Sequence, residues 1–261
     1  MNQEQRQSCA KQLYSALRER KAIKPLTDTY PEMSIEDAYH ISTELLEMRK
    51  ADGEVVIGKK IGITSDVVQK MLNVNQPDFG YLTDRMAFNQ GVEMPISNEL
   101  MQPKAEGEIA FVLKEDLIGP GVTTAHVIAA TDFVVPCFEI VDSRIENWNI
   151  RIQDTVADNA SCGFFVLGDA AVSPRDVDLR TCGMVVEKNG KVISTGAGAA
   201  ALGSPINAVA WLANTLGKFG IPLKAGEVIL SGSLVPLEPV QAGDFMTVSI
   251  GGIGSASVRF T

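Results

Sequence analysis

The chain has 261 residues, 45% of them hydrophobic and 21% charged, which is enough apolar material for a sizeable core and excludes a disordered chain. With 23 basic against 32 acidic residues the formal net charge is -9, so a general nucleic-acid surface is excluded and any anionic ligand must be drawn by local positive charge.

The first segment, Met1-Asn2-Gln3-Glu4-Gln5-Arg6, lacks the apolar core of a secretory signal, and a cytoplasmic protein is expected. Cys9, Leu13 and Leu17 then recur at helical spacing, and a second amphipathic helix starts at Ser34 with Asp37 completing a capping box. Ala38, Ile41, Leu45 and Met48 form its buried stripe, and Asp52-Gly53 ends it. His40 falls on this helix and His126 in an irregular stretch, so neither supports a Ser-His-Asp or Cys-His site.

Residues 55–64 predict a strand, and Ser65 is expected to cap a short helix. Lys60 stands in that strand between Gly58 and Gly62, beside apolar Ile57, Ile61 and Ile63. An ammonium there either needs a carboxylate partner or leads to the surface along its apolar stem. Asp78, in Gln76-Pro77-Asp78-Phe79-Gly80, occupies a turn-like segment where an Asx-turn is the default. The chain changes character near residue 80, from a helix-rich region 1–80 to a strand-rich region 81–261.

Glu106 and Glu108 open the next apolar strand, and side chains two positions apart on a strand share a face. Two carboxylates pointing into one space repel each other unless a cation lies between them; the alternative is a solvated strand edge. Glu139 closes another apolar strand, Phe133 to Val141, where an unpaired charge would be costly. Three glutamates without a neighbouring His or Cys are hard oxygen ligands suited to Mg²⁺ or Mn²⁺ and poorly suited to zinc.

Arg144 can anchor a carboxylate bidentately or pair with Asp142 or Glu146 beside it. The polar run Gln153 to Gly163 is expected as a loop in which Ser161 and backbone N–H groups bind a carboxylate, or as a capped turn. Lys188-Asn189-Gly190-Lys191 predicts a hairpin, and Ala225-Gly226 and Ala242-Gly243-Asp244 predict turns. Gly196-Ala197-Gly198 completes no phosphate-loop pattern, so no nucleotide is expected. The uncharged run from Val192 to Gly217 is broken by Gly196, Gly198, Gly203, Ser204, Pro205 and Asn207, which argues against a membrane span. Inside it, Ser204 as N-cap, Pro205 at the first position, apolar Ile206, Val209, Leu212, Ala213 and Leu216, and Gly220 beyond the end predict a helix. Cys9, Cys137, Cys162 and Cys182 have no C-x-x-C spacing and fit buried free thiols.

The order Glu106-x-Glu108, Glu139 near Val141-Asp142-Ser143-Arg144, Gly232-Ser233, Gly243-Asp244 and Ile253-Gly254-Ser255 resembles the fumarylacetoacetate hydrolase superfamily. From the Ser34 helix to the C-terminus the chain is similar to its hydratase and decarboxylase branch, which serves aromatic meta-cleavage pathways. The resemblance implies an α+β fold with a mixed β-roll core, in which residues 81–261 form the metal-binding catalytic domain and the smaller helical N-terminal region contributes Lys60 and Asp78 as catalytic groups. It implies a divalent metal, Mg²⁺ or Mn²⁺, on Glu106, Glu108 and Glu139, with Ser161 and Arg144 as candidates for binding the substrate. Asp78-Phe79-Gly80 and Asn159-Ala160-Ser161-Cys162-Gly163 resemble the hydratases, which favours addition of water to 2-hydroxypenta-2,4-dienoate over the alternative, decarboxylation of 4-oxalocrotonate. The segment 232–237 offers no cation for a distal carboxylate, and no histidine matches that of the superfamily's hydrolases. As partners the resemblance implies a small 2-hydroxydienoate or 2-oxo acid, no nucleic acid, no membrane, a homo-oligomer built from pentameric rings, and association with the decarboxylase of the pathway.

Overall fold

The computed structural model describes residues 1–71 and 73–261. Helices α1 (Gln3–Glu19), α2 (Leu26–Thr29) and α3 (Ile35–Ala51) precede β1 (Val56–Gly62), α4 (Asp66–Met71) and β2 (Asp78–Thr83). Short β3 (Ala87–Asn89), β4 (Glu93–Met94) and α5 (Ile96–Glu99) lead to the long strands β5 (Lys104–Leu113) and β6 (Thr131–Val141), joined through α6 (Thr124–Ala130). Then come α7 (Ile152–Ala157), β7 (Cys162–Leu167), β8 (Gly183–Lys188), β9 (Lys191–Ala197), α8 (Pro205–Gly217), β10 (Val228–Leu230), β11 (Glu238–Pro239), β12 (Phe245–Ile250) and β13 (Gly254–Phe260).

The local signals explain most of these elements. Ser34 and Asp37 exchange the capping-box hydrogen bonds that start α3, and Asn2 with Gln5 does the same for α1. Asn189 and Gly190, both at positive φ, make the two-residue turn between β8 and β9. Three expectations are corrected. Ser204 occupies the N-cap position of α8 without a side-chain capping bond, leaving Pro205 as the start signal. His126 lies in α6, whose N-cap is Thr123. Asp78 begins β2 instead of an Asx-turn, because its backbone pairs with Gly62 of β1. Among the described residues no helix is long and apolar enough to cross a membrane, and all four cysteines are free and buried.

The described residues form two sheets. The larger runs β2-β1-β10-β5-β6-β7-β3, with β11 also paired to β5, and mixes parallel pairs (β1 with β10, β3 with β7) with antiparallel ones. The smaller runs β4-β13-β12-β8-β9. Strand alternation sends Ile109, Phe111, Phe138, Ile140 and Ile229 to one face of the larger sheet, where they pack on the smaller sheet and on α8 in the main core. Burial of each such side chain contributes roughly 1.5–3 kcal/mol. The opposite face curls inward. Its lower half is closed by Leu82, Met86, Ala110, Val135, Phe165 and Leu230, and its upper half carries the ionisable groups described below. The curl is fastened by Asn159, whose side-chain amide donates to Tyr81 O at 2.9 Å and whose amide oxygen accepts from Tyr81 N at 2.8 Å. One side chain thus acts as a substitute strand at the β2 edge.

α1, α3 and α7 form a separate helical layer around Cys9, Leu13, Ala38, Ile41, Leu45 and Val156. The α+β architecture with a mixed, rolled sheet is the one anticipated. The expected boundary at residue 80 falls inside β2, however, since β1 and β2 are strands of the larger sheet. Alternation within seven-residue β1 carried no signal of which sheet it joins.

Candidate metal and acid-base site

Register fixes the centre of the site. β5 and β6 pair antiparallel with Glu106 opposite Glu139 and Glu108 opposite Cys137, so the three glutamates occupy adjoining positions on the inner face of the roll. One oxygen from each lies within 4.8 Å of the others. Glu108 is fully buried and Glu139 is 1% exposed. Between Glu106 and Glu108, Gly107 turns to the other face, where an added Cβ would stand 2.8 Å from Met184 Sδ. The E-G-E spacing therefore reconciles two demands, carboxylates on one side and close sheet packing on the other.

Lys60 approaches from β1. Alternation sends its neighbour Lys59 to the opposite face, where Glu227 pairs with it at 2.6 Å, and sends Lys60 inward to stand 3.1 Å from Glu139 Oε1. That separation makes an ion pair, although the angles are not those of a hydrogen bond, and Glu139 Oε1 and Oε2 both lack hydrogen-bond partners among the described residues. Asp78 completes the group diagonally, because Lys60 pairs with Gly80 while Gly62 pairs with Asp78. The glycines leave room for the long and the charged side chains: a Cβ on Gly62 would lie 2.3 Å from Asp78 Oδ1 and 3.4 Å from Lys60 Nζ.

The electrostatics are those of a cluster short of positive charge. Burial and the facing carboxylates push the Glu106 carboxyl up to about 7. They raise Glu108 well above the usual carboxylate range, and burial raises Glu139. Burial also raises Asp78, with Lys60 opposing the shift. The same carboxylates raise the Lys60 ammonium against the effect of its burial, which keeps it charged. Four carboxylates thus face one ammonium. Among the described residues, only Glu108 Oε2 of the Glu108 and Glu139 oxygens accepts a backbone bond, from Gly232 N at 2.8 Å, and Glu108 Oε1 has no partner. Buried, unpartnered carboxylate oxygens in an all-oxygen set suit a hard divalent cation, and the residues present therefore fit one.

A cavity of about 730 Å³ opens from this cluster. Its polar lining includes Lys60, Asp78, Glu106 and Ser161, and its apolar lining includes Ile63, Val141, Trp148 and Leu234. Ser161 reaches it from a turn in which Asn159, Ala160 and Ser161 all have positive φ, and its hydroxyl lies 3.1 Å from that of Thr155. Three consecutive non-glycine residues in the left-handed region indicate a strained turn held by its surroundings.

Arg144 is not brought to the cavity, which corrects its expected role as a substrate anchor. Its guanidinium is committed to Asp158 through Nε, to Cys162 O at 2.8 Å and to Asp158 O at 2.6 Å. It borders a separate cavity of about 380 Å³. An ion pair forms, as the alternative had it, but with Asp158 and not with the sequence neighbours Asp142 and Glu146; Asp142 instead accepts from the backbone of Met101 and Gln102. Two contributions were missed. Asn159 fastens the roll, and Lys104, two residues before Glu106, shares its face and lines the cavity. The i, i+2 spacing from Lys104 to Glu106 was the available signal.

Residues 59–261 match the family described as Fumarylacetoacetate (FAA) hydrolase C-terminal. The chain is 70% identical to a 2-hydroxypent-2,4-dienoate hydratase of Pseudomonas putida over 210 residues, covering 80% of this chain and 95% of that protein. It is 60% identical over 250 residues to a 2-hydroxyhexa-2,4-dienoate hydratase of Comamonas testosteroni, covering 95% of each. Among solved structures, the 4-oxalocrotonate decarboxylase from Pseudomonas putida G7 complexed with magnesium and adipate superposes with a TM-score of 0.96 at 40% identity, over 100% of this chain and 99% of that one.

Proposed function

The chain belongs to the fumarylacetoacetate hydrolase family, and on that premise we propose that it is a hydro-lyase adding water to 2-hydroxypenta-2,4-dienoate to give 4-hydroxy-2-oxopentanoate. The observation that carries this reading is the convergence of three partner-poor glutamates with Lys60 and Asp78 at the head of one cavity. Glu106, Glu108 and Glu139 would hold a divalent cation, Mg²⁺ or Mn²⁺, whose Lewis acidity would favour the 2-oxo form of a substrate bound through its carboxylate and C2 oxygen.

The protein groups account for the rest. Moving the proton of the C2 hydroxyl to C5 converts the dienol to a 2-oxo-3-enoate, in which C4 is electrophilic. The oxygen of water then bonds to C4, one proton leaves that water and one arrives at C3, so the product is substrate plus H₂O. The Lys60 ammonium, kept charged by the carboxylates around it, would stabilise negative charge developing on the C2 oxygen. Asp78 is buried, its Oδ1 has no partner among the described residues, and its carboxyl is raised above the ordinary range; it is suited to hold a proton and exchange it with C5 or with the incoming water. Ser161 lies in the wall beside this path and is assigned to substrate binding. The buried free thiols support a cytoplasmic setting. A homo-oligomer of pentameric rings is part of the same proposal.

Decarboxylation of 4-oxalocrotonate is the second reading, favoured by the structural likeness at 40% identity; the hydratase relatives at 60–70% identity outweigh it. Ultraviolet assays of 2-hydroxypenta-2,4-dienoate and 4-oxalocrotonate, each with and without Mg²⁺ or Mn²⁺, test the choice. Metal-dependent loss of the dienoate without release of CO₂ from 4-oxalocrotonate is expected. CO₂ release with no hydration product would transfer the assignment to the decarboxylase.

A further inference from the structure

Asp78 borders two cavities. Besides the one at the glutamates it lines a second, of about 250 Å³, and among the described residues it is the only one common to both linings. Two segments divide the spaces. Around α7, Ile150 and Thr155 line the cavity of the glutamates, while Ile152, Gln153 and Val156 line the second. Between β1 and β2, Ile63, Thr64 and Val68 line the first, while Asn73, Gln76 and Pro77 line the second. The second cavity combines exposed Asn73, Asn75 and Gln76 with buried Pro77, Asp78 and Val156, so it joins the surface to the start of β2.

Tyr39 also lines it. Its ring is stacked on that of Phe79, the residue after Asp78, with centroids 4.4 Å apart and planes at 13°. Burial and the Asp78 carboxylate push the Tyr39 hydroxyl up, which keeps it an O–H donor.

The proposed reaction brings two substrates together at Asp78. The cavity of the glutamates has largely apolar walls in Ile63, Val141, Trp148 and Leu234, and a bound 2-hydroxydienoate occupies it. The second cavity is far above the roughly 10–15 Å³ that admits one water, and its Tyr, Asn and Gln side chains offer the hydrogen bonds that a held water needs.

We propose that the second cavity is the binding site of the water that adds to C4, and that Tyr39 positions this water at Asp78. The proposal deepens the hydratase reading and rests on it. The water oxygen bonds to C4 as one O–H bond breaks and its proton passes to the Asp78 carboxylate. The C3=C4 electron pair moves toward the C2 oxygen, and delivery of that proton to C3 as the enolate collapses completes the addition of H₂O. The organic substrate and water thus reach Asp78 by separate routes, and a filled substrate cavity does not shut water out.

Stopped-flow ultraviolet and NMR measurements separate the two steps, because ketonisation to 2-oxopent-3-enoate consumes no water and hydration does. In the Mg²⁺-loaded protein, Tyr39→Phe keeps the stack on Phe79 and removes one hydrogen bond. It should slow hydration about tenfold and ketonisation less than twofold, so that 2-oxopent-3-enoate accumulates. Val156→Phe, which fills part of the second cavity, should do the same; circular dichroism establishes whether it is folded, and Tyr39→Phe carries the test if it is not. Equal slowing of both steps by Tyr39→Phe, or no slowing of either, would overturn the proposal. A wild-type protein that hydrates no dienoate would remove the hydratase reading and this inference with it. Equal hydration by the wild type and Tyr39→Phe would overturn this inference alone.

Discussion

Glu139 is a charge set among buried groups: it is 1% exposed, faces Glu106 across the ladder and stands 3.1 Å from the Lys60 ammonium. Fully ionised, the three glutamates repel each other in a low-dielectric space, and a divalent cation removes that repulsion while satisfying their free oxygens. Replacing Glu108 with Gln keeps the volume and removes one charge. Glu108→Gln should therefore lose more turnover than the roughly 10–100-fold that outer partners of a metal site contribute, while its melting midpoint in EDTA equals or exceeds that of the wild type. Circular dichroism melts and a Mg²⁺ titration of activity check both parts, and full activity at low Mg²⁺ would remove Glu108 from the ligand set. Asp78 makes a contrasting case, since it touches no proposed ligand position. Asp78→Asn should lower kcat for hydration by about 10²–10⁴-fold, the usual contribution of a positioned proton-transfer group, with Mg²⁺ affinity nearly unchanged. A comparable loss of metal affinity would make Asp78 part of the cation site instead.

At the scale of elements, β5 governs both the site and the core. Its ten residues place Lys104, Glu106, Glu108 and Ala110 inward and Ala105, Gly107, Ile109 and Phe111 toward the packed interior. Gly107 is the tightest point, with Met184 Sδ 2.8 Å, Val248 Cγ2 3.1 Å and Val186 Cγ2 3.3 Å from where a Cβ would stand. Gly107→Ala should cost about 1–3 kcal/mol by overpacking and reduce activity as well, because the strand can yield only by moving the glutamates on either side. Adding Met184→Ala should restore part of the stability, since the two sites share that contact. Chemical denaturation of the single and double variants measures this, and strictly additive losses would show that Gly107 is not confined by Met184. β1 is equally shared: Lys60 and Gly62 face the site, while Lys59 ties to Glu227 on the opposite face.

For the whole molecule, the cluster should couple folding to pH and, with the proposed ligands, to metal. The Glu106 carboxyl stands at about 7, above its ordinary value near 4.5. Its contribution to stability is thus complete below about 4.5 and is lost as pH rises through about 7. Glu108 and Glu139 shift in the same direction. A cation held by the ionised carboxylates would take the place of protons, so it should offset this loss where the loss is greatest. The rise in melting midpoint on adding Mg²⁺ to EDTA-treated protein should be larger at pH 8 than at pH 6. Equal rises at both values would mean that these carboxylates do not titrate between them. The same coupling opposes dissection of the chain: residues 81–261 alone would lack β1, leave β10 as an unpaired edge and remove Lys60 and Asp78.

Much of this was present in the chain itself. The two N-terminal helices followed from spacing and capping residues, the hairpin at Asn189-Gly190 from turn chemistry, and the shared face of Glu106 and Glu108 from strand alternation, because each depends on residues only a few positions apart. The candidate ligands were likewise legible, since charge inside an apolar strand is costly wherever the strand lies. Tertiary structure alone decided which groups meet. Register placed Glu139 opposite Glu106, β1 beside β10 brought Lys60 to Glu139, and Asp158 took the guanidinium of Arg144 that sequence adjacency had offered to Asp142 or Glu146. It also turned a lysine near Glu106 into the second cation of the cavity. Pairing between distant strands and the curl of a sheet depend on contacts spread through the whole core, and no local window of the sequence contains them.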